Sequence, residues 1–139
     1  MTIKVERTKK DPLDTDSGLA GEALTSHEYR FVKRSGSATG NATVVKCGDG
    51  EKADGVLLPL GDGTTTIAAG TNVYFQTLGA AEVEAGAAIS AGVEIASDSN
   101  GRAVTATATE YILGVTREGA VGAGHLVSVY LRGPTYKAS

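Results

Sequence analysis

The chain has no tryptophan, one cysteine, one methionine and two phenylalanines among its 139 residues. A single cysteine, Cys47, excludes an internal disulfide. Two histidines, His27 and His125, stand far from it and from each other. The close ligand pairs of a zinc site are therefore missing, and no metal is expected. No apolar run approaches the roughly 20 residues of a membrane span. The first ten residues, Met1 to Lys10, lack an apolar signal core, so secretion by that route is not expected. Basic residues form no stripe: residues 35–139 carry six basic and ten acidic groups, which argues against nucleic acid as a partner.

Large apolar side chains are also scarce. Leu, Ile, Val and Phe together number 30, while Ala and Gly number 20 and 19. At about 25 cal/mol per Å² buried, a core of small side chains leaves little surplus over chain entropy. Such a chain is expected to draw stability from partners.

What is present is β patterning. Val127, Val129 and Leu131 alternate with Ser128, Tyr130 and Arg132; Val93 and Ile95 flank Glu94. This is the two-residue period of half-buried strands. Asp98-Ser99-Asn100-Gly101 supplies a turn that tolerates positive φ. Further strands are expected at Glu28–Lys33, Ala42–Cys47, Gly55–Leu60 and Asn72–Leu78, with a short one at Thr64–Ile67. Ala80–Ala91 contains Gly86 and reads as loop and short strand rather than helix. Eight or so short strands joined by glycine-rich turns predict an all-β fold: a jelly-roll-like β-sandwich or small barrel, with a barrel-sandwich hybrid as second choice. Residues 25–139 are expected to form this single domain.

Residues 1–24 read as an extended N-terminal arm, polar and punctuated by Pro12 and Gly18. Its spaced apolar residues Ile3, Val5, Leu13 and Leu19 are the candidate partner contacts.

The spacing from Val45 to Gly55-Val56 equals that from Val104 to Gly114-Val115, and Gly70-Thr-Asn-Val73 echoes Gly124-His-Leu-Val127. Two similar β units give this pattern, and so does chance self-similarity of Val- and Gly-rich sequence.

No catalytic constellation stands out. Cys47 with His27 or His125 lacks any family-type nucleophile signature. Asp11, Asp14 and Asp16 resemble half of a calcium loop without its distal bidentate acid. Gly48-Asp49-Gly50 and Gly61-Asp62-Gly63 match no phosphate-cradle pattern. Nothing selects a hydrolytic pair from Glu82, Glu84, Glu94 and Glu110. Val83–Val104 resembles a lipoyl or biotinyl carrier hairpin, but its tip has no lysine to modify. An enzyme and a cofactor are not expected.

The ordered set Ala85-Gly-x-x-Ile89-x-Ala91-Gly, Asp98-x-x-Gly101-Arg-Ala-Val104, Ile112-Leu-Gly-Val-Thr116 and Gly122-x-Gly124-x-Leu126-Val-x-Val129-x-Leu131 resembles the capsid cement, or head decoration, proteins of tailed bacteriophages. The resemblance covers Gly86 to Leu131 best. It implies a structural virion protein on the capsid exterior, made in the host cytoplasm. The implied partners are the major capsid protein and other copies of the chain, as a homodimer or homotrimer on capsid symmetry axes. The alternative is another β-rich binding module, of fibre, tail or carbohydrate-recognition type. Against the last stand the missing tryptophan and the scattered Tyr29, Tyr74, Tyr111, Tyr130 and Tyr136.

Overall fold

The computed structural model describes residues 14–36 and 42–138. Ten strands run in order: β1 (Thr15–Leu19), β2 (Phe31–Ser35), β3 (Thr43–Lys46), β4 (Gly55–Leu57), β5 (Asn72–Gln76), β6 (Gly79–Glu84), β7 (Glu94–Ser97), β8 (Ala103–Thr105), β9 (Glu110–Thr116) and β10 (Leu126–Lys137). No α-helix occurs among the described residues. They form two antiparallel five-stranded sheets, ordered β1-β5-β4-β2-β3 and β6-β10-β9-β7-β8. The all-β sandwich expectation holds, with ten strands rather than eight. Neither sheet closes into a barrel. Each curls until its two edge strands touch at one parallel bridge, Ala20 to Val44 in the first and Ala85 to Ala103 in the second.

The two sheet orders are the same order, one for each half of the chain. Registers agree as well. Val32 opposes Gly55 and Lys46, as Ile95 opposes Gly114 and Thr105. Leu19 opposes Asn72, as Glu84 opposes Leu126. The hydrogen bonds at the curled edge repeat too. Gly21 N–H donates to Val44 O and Gly70 N–H to Ala20 O, both at 2.8 Å; Gly86 N–H donates to Ala103 O and Gly124 N–H to Ala85 O, also at 2.8 Å. The spacing noted in the sequence is therefore a structural duplication, a five-stranded unit used twice.

Strand ends differ from the sequence expectation for local reasons. β2 starts at Phe31 rather than Glu28 because Tyr29 holds φ at 66°, which no strand residue adopts. Thr64–Ile67 forms no strand, yet its carbonyls accept from Leu24 and Ser26 at 2.9 Å. The β7–β8 hairpin turns on Gly101, the only residue of Ser99-Asn100-Gly101 with positive φ (77°), while Asp98 Oδ1 accepts from the backbone N–H groups of Asn100 and Arg102 at 2.8 Å.

Residues 14–24, expected as part of the arm, belong to the folded body. The rest of the expected arm, residues 1–13 with Ile3, Val5 and Leu13, lies outside the described residues. Thr15–Leu19 is β1, paired along its length with β5. Ala20 and Leu24 are buried in the first sheet's core beside Val32, Val44, Val73 and Phe75. The folded body thus starts upstream of residue 25. The cause is Gly18, which faces inward opposite Val73; an added Cβ there would stand 3.0 Å from Val44 Cγ2. An edge strand whose inward residue has no side chain carries no apolar alternation to read.

The second core joins the halves. Phe31, Cys47, Ala53 and Val56 of the first half pack with Val83, Ile95, Leu113 and Val129 of the second. Backbone bonds stitch the same junction: Phe31 N–H to Gly101 O at 2.7 Å, Glu84 N–H to Tyr29 O at 2.8 Å, and Gly50 N–H to Ser97 O at 2.8 Å. Arg30 and Arg102 both reach the Glu84 carboxylate, at 3.1 and 3.8 Å.

Candidate contact surface

Most of the described groups weighed for chemistry already have a structural partner. Cys47 Sγ lies 3.7 Å from the carbonyls of Gly48 and Glu51, and burial pushes its thiol up to about 11. It is a protonated core residue, not a nucleophile. His27 is buried and bonds through Nε2 to Phe31 O at 3.0 Å; His125 is exposed. Asp16 holds Arg34 at 2.6 Å, and that pairing keeps its carboxyl below the usual range. Glu84 and Glu94 are in ion pairs, and Glu110 accepts from Thr107 N–H at 2.7 Å. Among the described residues no group of His, Cys, Asp and Glu could hold a metal ion.

His27 carries a pH prediction. Its pKa is lowered, chiefly by burial, with Arg30 and Lys46 adding repulsion; the bond to Phe31 and the charge of Glu22 oppose them. Below the ordinary 6.5 the unfolded chain takes up a proton that the folded chain refuses. Stability is therefore whole above pH 6.5 and declines as pH falls toward the depressed folded value. The expected slope from this one group is at most about 1.4 kcal/mol per pH unit. His27→Gln, which keeps an N–H donor for Phe31 O, should flatten the slope in urea titrations between pH 7 and 5. An identical slope in both proteins would exclude the histidine.

The surface offers something different. In the second half, loops Gly86–Gly92 and Gly119–Gly124 lie side by side. Ile89 and Ala120 exchange backbone bonds at 2.9 and 2.8 Å. Buried Ile89 anchors the pair from below. Thr116, also buried, pins it to β9: its hydroxyl donates to Ser90 O at 2.8 Å and accepts from Val93 N–H at 3.0 Å. Neither loop contains Asp, Glu, Lys or Arg. Ala87, Ala88, Ala91 and Ala123 are exposed, Val121 is 84% exposed and neighbouring Leu126 47%. On a chain of net charge -3 these two loops form a small-residue surface with no charge of its own, flanked by exposed Glu118 and by Asp98 beside Gly86.

Sequence reading missed this end, because an Ala- and Gly-rich stretch gives no sign of which partner loop covers it. The one available signal was the missing charge. Of the four predicted contact residues, only Leu19 is described; it is 51% exposed on the outer face of β1, opposite Asn72 of β5.

A rigid all-β body with a bare apolar end is a structural, surface-binding protein. The comparisons with known proteins carry this further. Residues 20–132 match the family described as phage cement protein, and the chain belongs to that family. It is a non-enzymatic structural protein of the virion, located on the capsid exterior and associated with capsid proteins. The fold is similar to the head fiber gp8.5 N base of bacteriophage phi29, at 18% identity and a TM-score of 0.65, over 88% of this chain and 97% of that one. No curated protein sequence matches the chain.

Proposed function

We propose that the protein cements neighbouring capsid subunits by binding the major capsid protein across their junction, with the uncharged loop end seated on the shell. The observation that carries this is the exposed Val121 on two paired loops that contain no charged residue. Small residues allow close backbone approach, and their burial requires no stripping of water from charge. Copies arranged as a homodimer or homotrimer about a capsid symmetry axis multiply the contacts. Several weak footholds then add by effective concentration, so parting two capsomers requires breaking all of them together. Residues 1–13, with Ile3, Val5 and Leu13, serve as a tether to the next subunit, continued on the body by Leu19. The fold likeness to a head-fibre base supports attachment at the head surface.

Co-sedimentation with capsids lacking the protein tests this. Val121→Asp should lower retention about tenfold or more, since it buries an unpaired carboxylate at the contact. Its thermal midpoint should not change, because the side chain is 84% exposed. Deletion of residues 1–13 should weaken retention less and leave the fold intact. Full occupancy by both variants would refute the assignment.

A further inference from the structure

We propose that the open edge of β10 in one copy of the chain takes up residues 2–6 of a second copy as an added strand. This rests on the tether reading above and names the surface that receives the tether. β6 accompanies β10 only from Leu126 to Leu131. Beyond the irregularity that follows, Thr135, Tyr136 and Lys137 pair with Ile112, Tyr111 and Glu110 of β9 alone. Tyr111 N–H donates to Gly50 O at 3.0 Å, away from β10. Tyr111 and Tyr136 are therefore a non-hydrogen-bonded pair of the antiparallel ladder, and Tyr136 turns its own N–H and carbonyl to the outer edge. No described residue bonds to either group. The side chain is just as uncovered. It meets the Tyr111 ring at 5.2 Å on one face of the ladder, yet is 52% exposed. Such an edge accepts a strand that is apolar on one face.

The chain itself carries that strand. Thr2-Ile3-Lys4-Val5-Glu6 alternates apolar and polar residues, contains no Pro or Gly, and lies upstream of all ten strands. With Ile3 or Val5 opposite Tyr136, both apolar side chains fall on the tyrosine's face of the sheet. Reach selects a second copy over the same one. Asp14 O accepts from Thr77 N–H at 2.7 Å, and Thr77 lines one small pocket with Leu131 and Pro134. The arm thus leaves the body beside the start of the open edge. Residues 7–13 extend up to about 25 Å, which carries residues 2–6 past that edge. To reach their own β10 they would have to double back; running outward, they meet a neighbour's. Giving and receiving surfaces differ, so the exchange runs head to tail, and a rotation axis closes it into a ring.

The test uses two co-expressed full-length chains with Cys47→Ala, one carrying Lys4→Cys and the other Thr135→Cys, treated with a short bismaleimide both free and on capsids. A crosslinked dimer of the two chains should form. Ile3→Asp with Val5→Asp in the first chain should lower its yield about tenfold with an unchanged melting midpoint. No dimer in either setting would overturn the proposal, as would an equal yield with the aspartates. So would a single chain bearing both cysteines that links only within itself. Capsid retention of the untreated chains is measured separately. Retention without the dimer removes the strand exchange and leaves the cementing role standing; the dimer without retention does the reverse.

Discussion

Gly114→Ala is expected to destabilise the fold by roughly 3 kcal/mol or more, and Gly55→Ala by a similar amount. The two glycines occupy the same place in the duplicated unit, opposite Ile95 and Val32. A Cβ on Gly114 would overlap the Tyr130 carbonyl oxygen and lie 3.1 Å from its carbon; on Gly55 it would overlap Gln76 O and lie 2.7 Å from Phe75 Cδ2. The obstacles are mainly backbone, of β10 and β5, and backbone cannot turn aside as a rotamer does. A small protein of this kind has about 5–15 kcal/mol in total, so either change takes a large part of it. Gly61→Ala is the control. Nothing lies within 4 Å of its added Cβ, and it should be neutral or slightly stabilising. Urea melts of the three variants measure this directly. A loss under 1 kcal/mol for both Gly55→Ala and Gly114→Ala would mean that the strands do not approach as described.

Phe31→Ala should cost about 3–5 kcal/mol. Phe31 is 1% exposed, belongs to the core that spans both sheets, and is the largest apolar side chain the first half sends into it. Its backbone also sits at the seam: the N–H donates to Gly101 O, and the carbonyl accepts from Cys47 N–H and His27 Nε2. Truncation leaves a cavity between the halves rather than inside one. The expected result is a loss of cooperativity, with the two sheets melting apart by hydrogen exchange. Phe31→Leu should cost less than about 1.5 kcal/mol. A single unchanged transition in Phe31→Ala would show that the halves are held by their backbone bonds and ion pairs alone.

These two positions also show what a sequence of this kind discloses. The alternation of β10 was legible because Val127, Val129 and Leu131 are all inward-facing and all large. The duplication was legible only at Gly55/Gly114, where strands approach closely, at Gly70/Gly124, which hold φ at 93° and 90°, and at the valines. Elsewhere the copies differ: Leu19 corresponds to Glu84, and Tyr74 to Ser128. Leu19 and Tyr74 face solvent, whereas Glu84 is taken up by the ion pairs with Arg30 and Arg102 that only its own half makes at the junction. β1 was hidden by its inward Gly18, and the contact end by the separation of its two loops in sequence. Function followed the same rule. The resemblance to cement proteins rests on turn glycines and core residues, which locate the fold; the surface that meets a partner had to come from three dimensions.

The most direct test is a cryo-electron microscopy reconstruction of capsids saturated with the protein. Density should bridge adjacent capsid subunits, with the loops around Ile89 and Val121 against the shell. Particles with this density should also resist heat better than bare ones. Density with the Val121 loop pointing into solvent, or bare capsids at saturating protein, would contradict the account.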